Sequence, residues 1–278
     1  MTPPATERVT IIPDARPVLE QAGLRSFRDF MDYAGGRRVC HKRGRSTVRI
    51  AIGERAFYLK RNRFHWVEFL KGLVRLRFPV RGALREWRNI ARVRESGVST
   101  LVPIAFGERP FWGFETSSFS VTEELYRCQP LDQVLGKELP DLPSPAARFR
   151  KRGIFRQLGA FAGRLHGHGL YHQDFYLSHV FLGPGDVLHL IDLQRVLHRP
   201  WRARHFCIKD LAQLNYAASR VPGVSRTDRM RFLHAYFGCS TLGFEEKQLV
   251  RAVLAKTSRI ARHDVKLLAR RRRRGEIA

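Results

Sequence analysis

The sequence predicts an α+β chain, with a small β-rich first part over residues 1–125 and a larger, helical second part over residues 126–278. Three observations carry that reading. Short runs with alternating apolar residues mark the first part, as in Val48, Ile50 and Ile52. A long stripe at helical spacing, Phe155, Leu158, Ala162 and Leu165, marks the second. Just after that stripe, two brief apolar runs, Val180-Phe181-Leu182 and Val187 to Leu193, flank a Gly183-Pro184-Gly185 turn and read as a hairpin.

Length and composition bound the rest. A chain of 278 residues with 44% apolar content suits one bilobal domain or two small ones. No run approaches the roughly 18 uncharged apolar residues of a membrane span. The start, Met1-Thr2-Pro3-Pro4, lacks the regions of a secretory signal. Cys40, Cys128, Cys207 and Cys239 are scattered with no C-x-x-C pair, which reads as reduced thiols rather than a disulfide frame or zinc site. The charge is unusual: 51 Lys and Arg against 25 Asp and Glu, a net +26. Such a field attracts nucleic acid, anionic lipid or a phosphorylated glycolipid. Arginine predominates, and it binds phosphate as a fork.

Taken in order, residues 1 to about 20 carry little periodicity, and Leu24 to Tyr33 fits a short helix. Val48 to Ile52 and Ala56 to Arg61 form strands around a Gly53-Glu54 turn. The basic and small residues before them, with Gly44, fit either a loop whose backbone N–H groups cover a phosphate or a solvated basic turn. Lys60 lies near the end of the second strand. Arg63 to Arg81 interleaves Phe64, Trp66, Phe69 and Phe78 with cations, which suits a membrane interface, a glycolipid head group or a core helix with a basic face. Gly82 to Gly97 reads as a helix with Leu84, Trp87 and Ala91 on one face and Glu86 beside it. Val102 to Phe106 and Gly113 to Glu124 read as strands, Leu131 to Leu135 starts a helix, and Pro140 to Pro145 is a loop. Ala146 to His166 is the strongest helix. Further helices are expected from Lys209, over Arg226 to Phe237 and over Phe244 to Leu268, with Arg270 to Arg274 as a solvated tail or an anchor on anionic lipid.

The chemistry gathers between Leu165 and Leu193. Asp174 lies just before the hairpin and Asp192 near its far end. Two acids so placed can divide phosphoryl transfer, one taking a hydroxyl proton and the other holding a divalent metal on a phosphate. The histidines His166, His168, His172 and His179 do not make a convincing zinc site, since His166 and His168 at a helix end point apart.

His172-Gln173-Asp174, His179 five residues on, and Ile191-Asp192 resemble the catalytic loop and metal-binding aspartate of kinases, H-R-D-x-x-x-x-N followed by D-F-G. Gln173, His179 and Leu193-Gln194 depart from that pattern. Tyr176, His179 and Ile191-Asp192-Leu193 are similar instead to the lipopolysaccharide core kinases, the heptose and Kdo kinases, whose loop resembles H-R-D-x-Y-x-x-H followed by I-D-L. Gln173 fits neither. The resemblance is specific over Tyr171–Leu193 and looser over Lys42–Ser219. It implies a protein-kinase-like two-lobe fold, ATP and Mg²⁺ as cofactors, and phosphorylation of a sugar hydroxyl, heptose or Kdo, in the lipopolysaccharide inner core.

The resemblance also implies roles. Asp174 would be the general base, Asp192 the Mg²⁺ ligand, Lys60 the phosphate-binding lysine and Glu86 its partner. Gly44 would belong to the phosphate-covering loop, and the backbone of Glu123 to Leu125 would meet adenine. His179, a poor ligand for the hard Mg²⁺ ion, would leave a single magnesium, contact phosphate or orient Asp174. Asp210, in a Lys-Asp-Leu stretch, would brace the loop or serve only as a helix N-cap. The acceptor would be a phosphorylated glycolipid at the cytoplasmic face of the inner membrane, on an anionic membrane surface, and nucleic acid becomes a disfavoured partner. The rival readings are a small-molecule phosphotransferase of the choline or aminoglycoside kinase type, an ordinary protein kinase, and a non-catalytic basic binding protein.

Overall fold

The computed structural model describes residues 7–42, 44–63, 82–111, 114–139 and 144–274. The chain divides into two compact units, Met1–Arg92 with Thr100–Tyr126, and Val93–Ser99 with Arg127–Ala278.

The first unit holds a six-stranded sheet of β1 (Arg8–Ile11), β2 (Arg37–Lys42), β3 (Arg45–Ile52), β4 (Arg55–Arg63), β5 (Pro103–Phe111) and β6 (Phe114–Glu123), in the order β1-β5-β6-β4-β3-β2. Every neighbouring pair is antiparallel. Alternation sorts the side chains by face. Val48 and Ile50, Phe57 and Leu59, and Phe119 and Val121 share one core with Leu19, Phe27 and Phe30 of α1 (Arg16–Gln21) and α2 (Phe27–Asp32). Phe30 stacks on Phe119 with ring centroids 4.2 Å apart. The sequence hid β1 and β2 because both are edge strands: β1 buries only Ile11, and β2 is mostly basic and exposed. The basic run before the first predicted hairpin is therefore β2 itself. Lys42 pairs with Arg45, and the chain reverses tightly with Gly44 at φ +74°, a conformation glycine adopts without steric cost.

Helix α3 (Gly82–Glu95) ends near Gly97, which stands at φ +72°. Its inward face is displaced by one residue from the predicted Leu84, Trp87 and Ala91. The buried stripe is Ala83, Glu86, Ile90 and Val93, and Ala91 is exposed. A carboxylate occupies an inward position that hydrophobic periodicity assigns to an apolar residue, because the sheet supplies its partners.

The second unit begins with β7 (Gln129–Pro130) and a helical turn, Leu131–Gln133, that runs into a π turn at Val134–Glu138. Then follow α4 (Pro145–Gly167), β8 (Leu170–Tyr171), β9 (Val180–Leu182), β10 (Leu188–Leu190), β11 (Leu197–His198), α5 (Ala203–Ala218), α6 (Arg226–Phe237) and α7 (Phe244–Arg273). The expected hairpin is β9–β10. The expected α4 stripe, Phe155, Leu158, Ala162 and Leu165, is buried. Ser144 caps α4 through the Ala147 N–H at 3.1 Å. Helices α4 and α6 touch backbone to backbone: a Cβ on Gly159 would collide with the Phe232 carbonyl oxygen.

Two boundaries differ from expectation. Helix α5 starts at Ala203, before Lys209, so Asp210 lies inside the helix and not at its N-cap. Helix α7 continues through Arg273, so the arginine run is its last turn rather than a tail. Cations there complement the negative end of the helix dipole. The basic aromatic stretch at Arg63–Arg81 falls almost wholly outside the described residues, as does the start of the Pro140–Pro145 loop.

Candidate active site

In the first unit, Lys60 of β4 faces Ser120 of β6 across the ladder. Both point away from the phenylalanine core, and both reach Glu86. Lys60 Nζ donates to Glu86 Oε1 at 2.6 Å, and Ser120 Oγ donates to Oε2 at 2.8 Å. Glu86 is wholly buried, so its charge depends on these partners. The sequence-predicted pair is brought together.

The β6 exit is narrower in capacity than the sequence implied. The Glu123 N–H bonds the Val102 carbonyl at 3.0 Å and the Glu124 N–H bonds the Ala56 carbonyl at 2.8 Å. Their side chains are held as well, Glu123 by Arg55 and Glu124 by Arg49 and Tyr58. Of the three amides, that of Leu125 has no backbone acceptor among the described residues. Gly44 sits in the β2–β3 turn, where its carbonyl accepts the Arg63 N–H at 2.8 Å.

In the second unit, the loop from His172 to His179 is built on α5. Asp210, fully buried, accepts the N–H groups of His172 at 2.6 Å and Gln173 at 2.9 Å. Gln213, one turn along, accepts the Phe175 N–H at 3.1 Å and donates to the Gln173 carbonyl at 3.0 Å. This clamp holds Gln173 at φ +72°. The Gln173 amide oxygen accepts from Lys209 Nζ at 2.8 Å, so the residue that departed from the family pattern has a partner of its own. Burial, with the neighbouring charge of Arg195, holds the Lys209 ammonium below the usual lysine range.

The same loop is clasped to the Asp192 segment. His172 Nε2 donates to the Ile191 carbonyl at 2.8 Å, and the Ile191 N–H donates to the His179 carbonyl at 3.0 Å. Burial holds His172 below the ordinary imidazole range. His179 Nδ1 donates to the Asp174 carbonyl at 2.7 Å. Asp192 stands in the left-handed conformation, φ 58° and ψ 57°. Asp174 is 22% exposed at its side chain and is gripped by Arg195, whose Nη1 lies 2.8 and 2.7 Å from its two oxygens. Sequence reading placed the basic stretch from Arg195 to Arg204 at a substrate-facing loop but did not single out Arg195, whose pairing with Asp174 only the fold makes. It also missed Gln213, whose signal was its position three residues after Asp210.

Beneath the clamp lies His166 of α4. Its Nδ1 meets the Tyr236 hydroxyl at 2.9 Å, and its Nε2 is 3.4 Å from Asp210 Oδ2. Burial opposes the imidazolium, but Asp210 and the Cys207 thiol outweigh it and raise the group to about 9. No cluster of three or more His, Cys, Asp or Glu side chains of metal-binding arrangement occurs among the described residues. The four cysteines are free thiols. No described helix is long and apolar enough to cross a membrane.

Phosphoryl transfer to a hydroxyl asks for a carboxylate fixed beside the acceptor, a hard oxygen donor for a cation and a lysine for phosphate charge. The braced Asp174 loop, Asp192 on its tight turn and Lys60 held by Glu86 are residues of those types, and the chain is a phosphotransferase of the kinase class. A model of the lipopolysaccharide kinase (Kdo/WaaP) family matches residues 29–236, and the chain belongs to that family. It is similar to the lipopolysaccharide core heptose(I) kinase WaaP of Pseudomonas aeruginosa, with 34% identity over 202 residues, 70% of this chain and 74% of the relative. The Escherichia coli protein of the same name is 29% identical over 232 residues, 80% of this chain and 86% of the relative. A solved structure, WaaP in complex with acyl carrier protein, superposes with a TM-score of 0.70 at 27% identity, covering 92% of this chain and 98% of that one.

Proposed function

We propose that this kinase transfers the γ-phosphoryl group of ATP to a heptose hydroxyl of the lipopolysaccharide inner core. The observation that carries the reading is the Asp174 loop, a carboxylate held on main-chain hydrogen bonds to Asp210 and Gln213 and tied to the Asp192 turn. The two units correspond in this reading to the two lobes of a kinase-like fold, divided near residue 125.

Asp174 accepts the proton of the attacking hydroxyl. Lys60, aimed by Glu86, neutralises phosphate oxygens, and the Leu125 N–H meets the adenine edge, with Gly44 in the turn over the phosphates. Asp192 would hold Mg²⁺ through a hard carboxylate oxygen, the donor type that ion takes. An Mg²⁺ ion held there would supply positive charge against the phosphates. His179, already donating to the Asp174 carbonyl, serves the loop's geometry in this scheme rather than the metal.

The acceptor is an anionic glycolipid, and the net charge of +26 favours its approach at the cytoplasmic face of the inner membrane. An acyl carrier protein is a further partner in this reading, by analogy with the solved neighbour. A cavity of about 520 Å³ in the second unit supports it: Leu158, Leu214, Phe232 and Val253 line it, with Arg226 and Arg229 among its walls. An apolar lining of this kind suits an acyl chain delivered by a carrier.

The test is transfer of labelled γ-phosphate from Mg-ATP to lipopolysaccharide with a dephosphorylated core, wild type beside Asp174→Ala. Label in the core sugar, reduced about 10²–10⁴-fold in the variant, is expected. Unlabelled lipopolysaccharide with ATP still bound would move the acceptor to a small molecule. Absence of ATP binding would leave a basic binding protein.

A further inference from the structure

We propose that Arg195 is a further catalytic residue: its guanidinium, seated on Asp174 in the free chain, takes up charge on the phosphoryl group as that group leaves ATP. The proposal deepens the function above and rests on Asp174 being the base.

Arg195 ends the 3-10 turn Leu193–Arg195 that begins at Asp192. Leu193 is fully buried and Val196 nearly so. The turn is therefore pinned on either side of Arg195, while the arginine side chain stays 63% exposed. From this position Nη1 alone serves both Asp174 oxygens. A guanidinium has N–H donors on three nitrogens. Those on Nε and Nη2 meet no acceptor among the described residues. The loop from His172 to His179 contains no Lys or Arg. The nearby Lys209 ammonium is already given to the Gln173 side chain. The site thus presents one planar, permanently charged group at the base, with donors to spare.

The reaction changes the charges around it. The acceptor oxygen bonds to phosphorus, the bond from phosphorus to the bridging oxygen breaks with its electron pair leaving on ADP, and the hydroxyl proton passes to Asp174. The carboxylate loses its charge as it takes the proton, so its grip on the guanidinium weakens. The phosphoryl oxygens carry charge that the unused donors can meet as a fork. An interaction that strengthens as the proton moves accelerates the step without tightening the ground state. An exposed ion pair with a structural role alone is worth little, so the two roles separate by experiment.

The experiment titrates Mg-ADP, with and without aluminium fluoride as a mimic of the phosphoryl group in flight, into wild type, Arg195→Ala and Arg195→Lys. Mg-ADP alone is expected to bind all three within about threefold. Fluoride is expected to tighten binding to wild type about 100-fold and to Arg195→Ala less than about tenfold, with Arg195→Lys between them. In phosphate transfer to lipopolysaccharide, kcat of Arg195→Ala is expected to fall about 10²–10³-fold with KM for ATP held. Added guanidinium ion is expected to restore part of that loss and none of the loss in Asp174→Ala. Equal fluoride tightening in wild type and Arg195→Ala overturns the proposal, as does a kcat within about threefold of wild type. Tightening that depends on Arg195 in a protein that leaves lipopolysaccharide unlabelled sustains Arg195 and sinks the acceptor. Labelled lipopolysaccharide with indifferent Arg195 variants sinks Arg195 alone.

Discussion

Lys60 and Glu86 show how a single charge can be both structural and functional. Glu86 is buried without exposure, and Lys60 supplies its charge partner at 2.6 Å. Lys60→Ala leaves a buried carboxylate without its charge partner and loses about 3–5 kcal/mol of stability. The double variant Lys60→Ala/Glu86→Gln is expected to regain most of that stability, because the buried charge is gone. It is expected to regain none of the activity, because the phosphate still lacks its cation. Chemical denaturation and steady-state kinetics on the three proteins check both halves. Parallel recovery of activity would remove Lys60 from the chemistry. The pair was legible in the sequence through the kinase resemblance, in the order Lys60, Glu86, Asp174 and Asp192; by themselves a strand lysine and a helix glutamate read as surface residues. The inward turn of Glu86 was not legible, since hydrophobic spacing placed it beside the buried face.

At the scale of elements, α5 acts as the scaffold of the catalytic loop. A helix interior is rigid, and its i, i+3 positions lie on one face, so Asp210 and Gln213 meet successive main-chain groups of the loop together. Asp210→Asn keeps one acceptor oxygen and loses the charge. We expect one of the His172 and Gln173 amides to lose protection against hydrogen exchange, with kcat falling about tenfold or more and ATP affinity unchanged. Unaltered exchange at both amides would mean that the loop holds itself. The sequence allowed either a brace or a cap at Asp210. The choice depended on where α5 begins, and its first turn, Ala203-Arg204-His205-Phe206, carries almost no periodicity. Gly159 is a second element-scale constraint. Gly159→Ala must push α6 away from α4, at a cost of about 1–3 kcal/mol that a denaturation midpoint measures.

For the whole molecule, pH acts on stability through His166. Its folded pKa, raised to about 9, exceeds the unfolded value near 6.5. The folded state therefore holds the proton more tightly. The stabilisation is complete below about pH 6.5 and is lost as pH rises through about 9, at most about 3 kcal/mol in all. The melting temperature should fall across that window, and His166→Gln should flatten the fall. A slope that persists unchanged in the variant would assign it to another group. His166 couples the helical core to the loop, because the Asp210 carboxylate it faces is the one that holds the His172 and Gln173 amides.

The inner strands and long helices and the hairpin between Asp174 and Asp192 were legible in the sequence, because alternation, helical spacing and glycine turns are local properties of the chain, and the kinase resemblance supplied the residues for phosphoryl transfer. Tertiary structure alone decided the rest. It made edge strands of residues whose composition resembles loop, turned Glu86 inward, spent the Glu123 and Glu124 amides on neighbouring backbone, and set Arg195 on Asp174. Each of these outcomes depends on a partner far away in sequence, and the free energy of such a pairing exists only once the chain has brought the two groups together.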